Sequence, residues 1–284
     1  MKQTRSQSRS GSRFPRQGKK LLGITFLLAA LGGGIVPAQA GNVGTGSTAG
    51  SSHLSYTVYS HWLSVLSVET DFRLTDNRYE TTMEARADGL VSLFMRMNIH
   101  ANARGSIEQG QVKPQFYEST GWSRGMMRHV IIHYPGGNPK IERLEPVEDD
   151  REPVPDAMQQ GAADILATMA KLFVSVRSTG RCDATYDIFD GIRLTRMELH
   201  TGAVEVPPSV DKEWRVPALR CDFMGHQVAG FVKGHRSASL RTPHGGSVWF
   251  ENVEGRGLVP VRVSMEHPKI GRMTVELEKV GAVR

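Results

Sequence analysis

The sequence predicts a mainly β fold: a curved antiparallel sheet or incomplete β-barrel with one packed α-helix. Three observations carry this. Long runs alternate apolar and polar residues with a period of two, which lets a strand bury one face and wet the other. One stretch alone has convincing helical spacing. The chain's two cysteines, Cys182 and Cys221, bracket Asp190-Gly191, a strong hairpin signal because glycine takes the positive φ of a tight turn.

Residues 1–40 read as a signal peptide. Seven basic residues, Lys2 to Lys20, carry no acid among them, and Leu21 to Leu31 is a short apolar run followed by Gly32-Gly33-Gly34. Ala38-Gln39-Ala40 fits small-x-small cleavage, so the mature chain is expected to start at Gly41 and to be periplasmic. Even counted to Val36 the apolar run is about 16 residues, short of the roughly 20 that span a bilayer. No transmembrane segment is expected after cleavage.

Removal of this peptide changes the charge argument. The full chain has 35 Lys+Arg against 29 Asp+Glu, and without the seven basic residues the balance is 28 against 29. No basic excess remains for nucleic acid. Export also favours a Cys182–Cys221 disulfide, since oxidising compartments keep such bonds and neither Cys-x-x-Cys spacing nor nearby histidines suggest a metal or redox site.

Gly41 to Ser52 is mostly glycine, serine and threonine with almost nothing to bury, and residues 41–53 read as a flexible leader. A single domain of residues 54–284 follows. Val68, Thr70, Phe72 and Leu74 alternate with Glu69, Asp71 and Arg73; after a turn, Tyr79, Thr81, Met83, Ala85 and Ala87 alternate with Arg78, Glu80, Thr82, Glu84 and Arg86. This predicts a hairpin. A third run, Val91 to Arg104, reads as one long strand that bends or bulges. Further strands are expected at Gln115–Thr120, Met127–Tyr134, Arg193–Leu199, Gly246–Glu251, Val259–Glu266 and Arg272–Lys279. Arg143 to Pro155 is acidic and proline-bearing and reads as an exposed loop. Asp156 suits a helix N-cap, with Met158, Ala162, Ile165, Leu166, Met169 and Leu172 following at helical spacing.

Several segments together resemble a known family. They are Tyr56-Thr57-Val58-Tyr59, Asp88-Gly89-Leu90, Val112 to Ser119, the helix segment, Cys182 with Phe189-Asp190-Gly191, Cys221, and Leu258 to Arg262. The pattern over Leu54 to Val280 resembles an exported, mostly proteobacterial family catalogued as domain of unknown function 3108. At Asp164-Ile165-Leu166 such proteins tend to have Asp-Pro-Leu at the helix start. The resemblance implies a periplasmic β-rich protein and no established activity, so it supplies no catalytic residues.

Motifs that could carry chemistry are weak. Gly121-Trp122-Ser123-Arg124-Gly125 matches the G-x-S-x-G of a nucleophile elbow, but Met126 to Tyr134 reads as a strand where that elbow needs a helix. A glycine-bounded hairpin turn is the expectation. His129 and His133 would lie about 13 Å apart on one strand face, too far to share a metal ion. His226, His235 and His244 each follow Gly or Pro and read as loop residues. Met95, Met97, Met126, Met127, Met158, Met169, Met265 and Met273 mostly fall on presumed interior faces, as core filler or as the lining of an apolar groove. A transmembrane barrel also alternates, and would place the charges of Arg78, Glu80, Glu84 and Arg86 in its lumen.

The expected function is non-enzymatic: a periplasmic protein of cell-envelope maintenance that binds a lipid or hydrophobic peptide in a concave β-sheet. A scaffolding or interaction protein of the envelope is the alternative, and a serine hydrolase using Ser123 a third. No catalytic, metal or cofactor-binding residue and no cofactor is predicted, and sequence leaves the ligand-binding residues and oligomeric state undefined.

Overall fold

The computed structural model describes residues 50–283 apart from 95, 124, 210–214, 235–240 and 268–270. The expected signal peptide and cleavage site, most of the expected leader, Met95, Arg124 and His235 lie outside the described residues.

Two meanders build one sheet. The first comprises β1 (Gly50–Ser60), β2 (Leu63–Leu74), β3 (Arg78–Ala87), β4 (Asn98–Glu108), β5 (Gln111–Ser123), β6 (Met126–His133) and β7 (Lys140–Glu145). The second comprises β8 (Ala184–Phe189), β9 (Leu194–Glu205), β10 (Ala218–Ala229), β11 (His244–Val253), β12 (Gly257–His267) and β13 (Gly271–Gly281). The spatial order is β7-β6-β5-β4-β3-β2-β1-β13-β12-β11-β10-β9-β8. Every neighbour pair is antiparallel, and β1 with β13 is the one pair not consecutive in sequence. Between β7 and β8 the sheet stays open, so the fold is an incomplete barrel.

Period two explains the two faces. In β3, Tyr79, Thr81 and Ala85 are buried while Arg78, Glu80 and Arg86 face solvent. In β2, Thr70, Phe72 and Leu74 are buried between less buried neighbours. The charges are thus on the outside, the reverse of the apolar belt that a transmembrane barrel needs.

The interior is filled by a helix. α1 (Asp156–Gln159) is a single turn, and α2 (Ile165–Thr179) is the helix proper, about 22 Å long at 1.5 Å per residue. The expected N-cap at Asp156 is therefore corrected: Gly161 at φ +72° breaks the chain after α1, and Asp164 caps α2 by accepting from Ala167 N–H at 2.8 Å. Ile165 is the first helical residue, where the related pattern carries proline, the residue whose fixed φ suits that position. Leu166, Ala167, Ala170, Phe173, Val174 and Val176 are buried against the sheet. Phe173 stacks on Phe72 at 4.6 Å and meets Phe250 edge-on at 5.8 Å, so α2 joins both meanders.

The segment Pro146 to Asp164 occupies the gap between the sheet's edges. Arg151 bridges Val232, and Glu152 N–H donates to Phe231 O at 2.8 Å. Ala163 pairs in parallel with Ile188 on the free edge of β8, which Phe189 N–H extends by donating to Ala163 O at 2.8 Å. Covering an exposed edge in this way removes a template for aggregation.

Two further ties fix the second meander. Cys182, just ahead of β8, is bonded across β9 to Cys221 on β10, with 6.0 Å between the Cα atoms. Arg262 on β12 and Glu276 on β13 form a buried ion pair, and the Ser209 hydroxyl donates to Glu276 at 3.0 Å. Burial pulls the Arg262 guanidinium below its ordinary range.

Other expectations need correction. Residues 50–53, read as leader, are the start of β1. Val91 to Arg104 is not one strand: Gly89–Leu93 forms a 3₁₀ turn and β4 begins at Asn98. Local side-chain bonds close that turn, with Asp88 Oδ1 accepting from Gly89 N–H at 2.7 Å and the Ser92 hydroxyl donating to Gly89 O at 2.8 Å. Arg143 to Glu145 belong to edge strand β7 rather than to a loop.

Candidate functional site

Alternate turns of a meander lie at the same end of the sheet. One end therefore gathers the β1–β2 turn, the β3–β4 connector and the β5–β6 turn. Its tips carry large exposed apolar residues: Trp62 (80 % exposed), Leu90 (66 %), Leu93 (74 %) and Phe94 (90 %), with Met126 and Met127 on the third tip. Such groups on a folded surface mark contact sites more often than chance.

A cavity of about 590 Å³ opens at this end. Its walls are the β3–β4 connector, the facing ends of β4, β5 and β6, and the β8–β9 turn. The curl of the sheet brings that turn against β6. Gly191 has φ +88°, and a Cβ there would sit 2.9 Å from Val130 Cγ1, so glycine is required both by the turn and by the approach. Asp190 holds the turn as the sequence suggests: its Oδ1 accepts from Ile192 N–H at 3.0 Å and Arg193 N–H at 2.6 Å.

Polarity varies with depth. Val130 and Tyr117 at the floor are buried, Met97 and Ile99 are half-buried, and Arg96 at the lip is exposed. Among the described residues, three arginines from separate elements line the cavity. Arg128 is paired with Glu148, whose carboxyl is pushed up by burial but held below its usual range overall by Arg128 and Arg151. Arg193 Nε donates to Asp190 Oδ2 at 2.9 Å. Arg96 lies with its guanidinium 4.5 Å from the Trp122 ring centroid. Such a wall can take an apolar body and a polar head.

A second cluster lies at the start of α2. Asp164 is fully buried, and burial pushes its carboxyl up to about 6 against the hydrogen bonds of Ala167 N–H and Tyr134. The Tyr134 hydroxyl donates to Asp164 Oδ2 at 2.9 Å and accepts from Asp164 N–H at 2.8 Å. Tyr79 is near enough to feel the Asp164 charge, and its buried hydroxyl has no partner among the described residues. This cluster fixes the helix start.

The residues singled out from sequence are distributed as follows. Ser123 ends β5 and pairs with Met126 on β6, a strand-to-strand turn rather than the strand-to-helix elbow of a hydrolase. His129 and His133 lie on β6, each with its own acid: His129 Nε2 is 2.7 Å from Glu118 Oε1, and His133 meets Glu142. His226 and His244 are corrected from loop to strand, lying within β10 and at the start of β11; Gly225 is an ordinary strand residue there, opposite Met197. Among the described residues no group of three His, Cys, Asp or Glu is placed to hold a metal ion. Among the described methionines Met97 alone lines the cavity, while Met126, Met127 and Met158 are exposed rather than interior. Sequence reasoning missed Arg96, Arg128 and Arg193, whose convergence depends on the curl of the sheet; their spacing carried no signal.

No curated protein matches this sequence. Among solved structures, a beta-barrel-like protein of domain of unknown function DUF1849 from Brucella abortus aligns with 10% identity, covering 84% of this chain and 99% of that chain, at a TM-score of 0.47. The family model described as protein of unknown function (DUF3108) matches residues 55–278. With most of its length under that match and the expected order of strand, helix and cysteine-tied hairpin, the chain belongs to the DUF3108 family.

Proposed function

We propose that this is a non-enzymatic periplasmic protein of envelope maintenance, exported by cleavage after Ala40, which binds a lipid or hydrophobic peptide. The observation that carries the reading is the open cavity of about 590 Å³, within the few-hundred to roughly 1,000 Å³ range of ligand pockets. The site is the mouth and not the concave face, because α2 fills that face with Phe173 against Phe72 and Phe250. Native mass spectrometry of the protein purified from a periplasm tests it. An adduct of lipid or peptide mass, lost in an Ile192→Trp variant that fills the mouth from the turn, is the expected result. A bare mass under gentle ionisation overturns it.

The exposed tips favour a second reading, an interaction protein of the envelope. Trp62 and Phe94 would then be anchors, as aromatic residues commonly are at interfaces. Trp62→Ala with Phe94→Ala would abolish capture of an intact partner, and Trp62→Ala alone, at a residue outside the cavity lining, would leave any mouth adduct unchanged. Retention of that partner by the double variant excludes this reading.

A further inference from the structure

We infer that the ligand of the mouth is an amphiphile with a singly charged anionic head, bound by Arg96 at the lip with its apolar body directed inward. This rests on the mouth being a ligand site.

Among the described residues, the charges lining the cavity do not balance internally. Arg128 and Arg193 each hold a carboxylate, Glu148 and Asp190 respectively. Arg96 has no carboxylate among the described residues and lies over the Trp122 ring. A guanidinium stacked on an aromatic face keeps its N–H edge free, and that edge matches two oxygens of one anion. Stacking also limits the side chain's freedom before any ligand arrives, so less entropy is lost on binding.

The apolar part follows from depth. Beneath Arg96 come Met97 and Ile99, then Val130, with Ile192 facing from the β8–β9 turn. The interior below is occupied by α2. A chain longer than the cavity therefore has to leave part of its length at the rim, where Phe94, Leu93 and Leu90 stand exposed on the connector. A wholly apolar ligand would leave Arg96 without a counter-ion, and a short polar anion would leave the apolar wall wet.

A carboxylate and a phosphodiester share this chemistry, so three single-chain probes with the same acyl chain separate the possibilities: oleate, oleoyl-lysophosphatidylglycerol and uncharged monoolein. Binding to the whole mature protein is followed by Trp122 fluorescence, with a Trp122-only variant as control against signal from the other tryptophans. Both or either of the anionic probes should bind at least about tenfold tighter than monoolein, as one charge-assisted pair provides. Arg96→Gln should erase that gap and leave monoolein binding unchanged; Arg96 is exposed, so the variant keeps its fold, which circular dichroism checks. The tighter of the two anions names the head group. Equal binding of all three, or a gap that survives in Arg96→Gln, overturns the head-group assignment while the mouth remains a ligand site. No binding of any probe overturns both.

Discussion

A buried carboxyl at the start of α2 adds to the stability of this fold a pH dependence opposite in direction to that of a salt-bridged acid. Asp164 has an ordinary pKa of 3.8 and is pushed up to about 6 in the folded protein, with burial the leading cause. As pH rises from 4, the unfolded chain ionises this group first, while the folded chain keeps its proton. The contribution of Asp164 to stability is therefore greatest below about pH 4, falls between 4 and 6, and levels off above 6. A difference of about two pKa units corresponds to about 3 kcal/mol. The perturbation is Asp164→Asn, which keeps an oxygen to accept from Ala167 N–H but removes the titration. Urea unfolding of both proteins from pH 3.5 to 8 gives the difference of the two stabilities, from which other titrating groups cancel. That difference should shift by about 3 kcal/mol in favour of the asparagine variant across the interval. Parallel curves would refute the reasoning, and would mean that Asp164 is ionised throughout or that water reaches it.

Three other expectations follow from the packing. Phe173→Ala removes the ring between the two meanders and should cost about 3–5 kcal/mol by the same urea assay; a loss below about 1 kcal/mol would show that α2 is not the core element described. Replacing both Cys182 and Cys221 by alanine opens a loop spanning 39 positions and should lower stability by about 4 kcal/mol, matched by wild type under reductant. Glu276→Gln strands the buried Arg262 guanidinium and should cost about 3–5 kcal/mol, whereas Arg262→Met with Glu276→Leu recovers most of that; equal losses in both would exclude an unpaired charge as the cause.

The strands were legible because burying one face of an antiparallel strand imposes a pattern that few other conformations share. Arg78 to Ala87 shows it most clearly. The same pattern misled at Val91 to Arg104, where Leu93 lies in a 3₁₀ turn and is exposed: periodicity reports spacing and not burial. The helix was legible in kind but not in its start. Asp156 and Asp164 are both acceptable caps, and only the backbone at Gly161 decides between them. Asp190-Gly191 was read correctly because that turn's chemistry is wholly local. The mouth was not legible, since Arg96, Arg128 and Arg193 are brought together by strand curvature and by the packing of one turn on a distant strand.

The order of strands in the sheet leaves β1 and β13 as neighbours, with His53 opposite Gly281, so the two ends of the domain lie side by side. A short linker joining them, with new ends opened at Val147 to Pro155, would convert the chain into α2, then β8 to β13, then β1 to β7. Every strand pair of the sheet would then join sequence neighbours, and the one long-range pairing would become a hairpin. Such a rewired chain keeps the same contacts at a lower mean sequence separation, a change that speeds folding without adding any interaction. The fold is thus two halves of one continuous ribbon, and where its backbone is cut is a free choice that the present sequence makes at the β1–β13 seam.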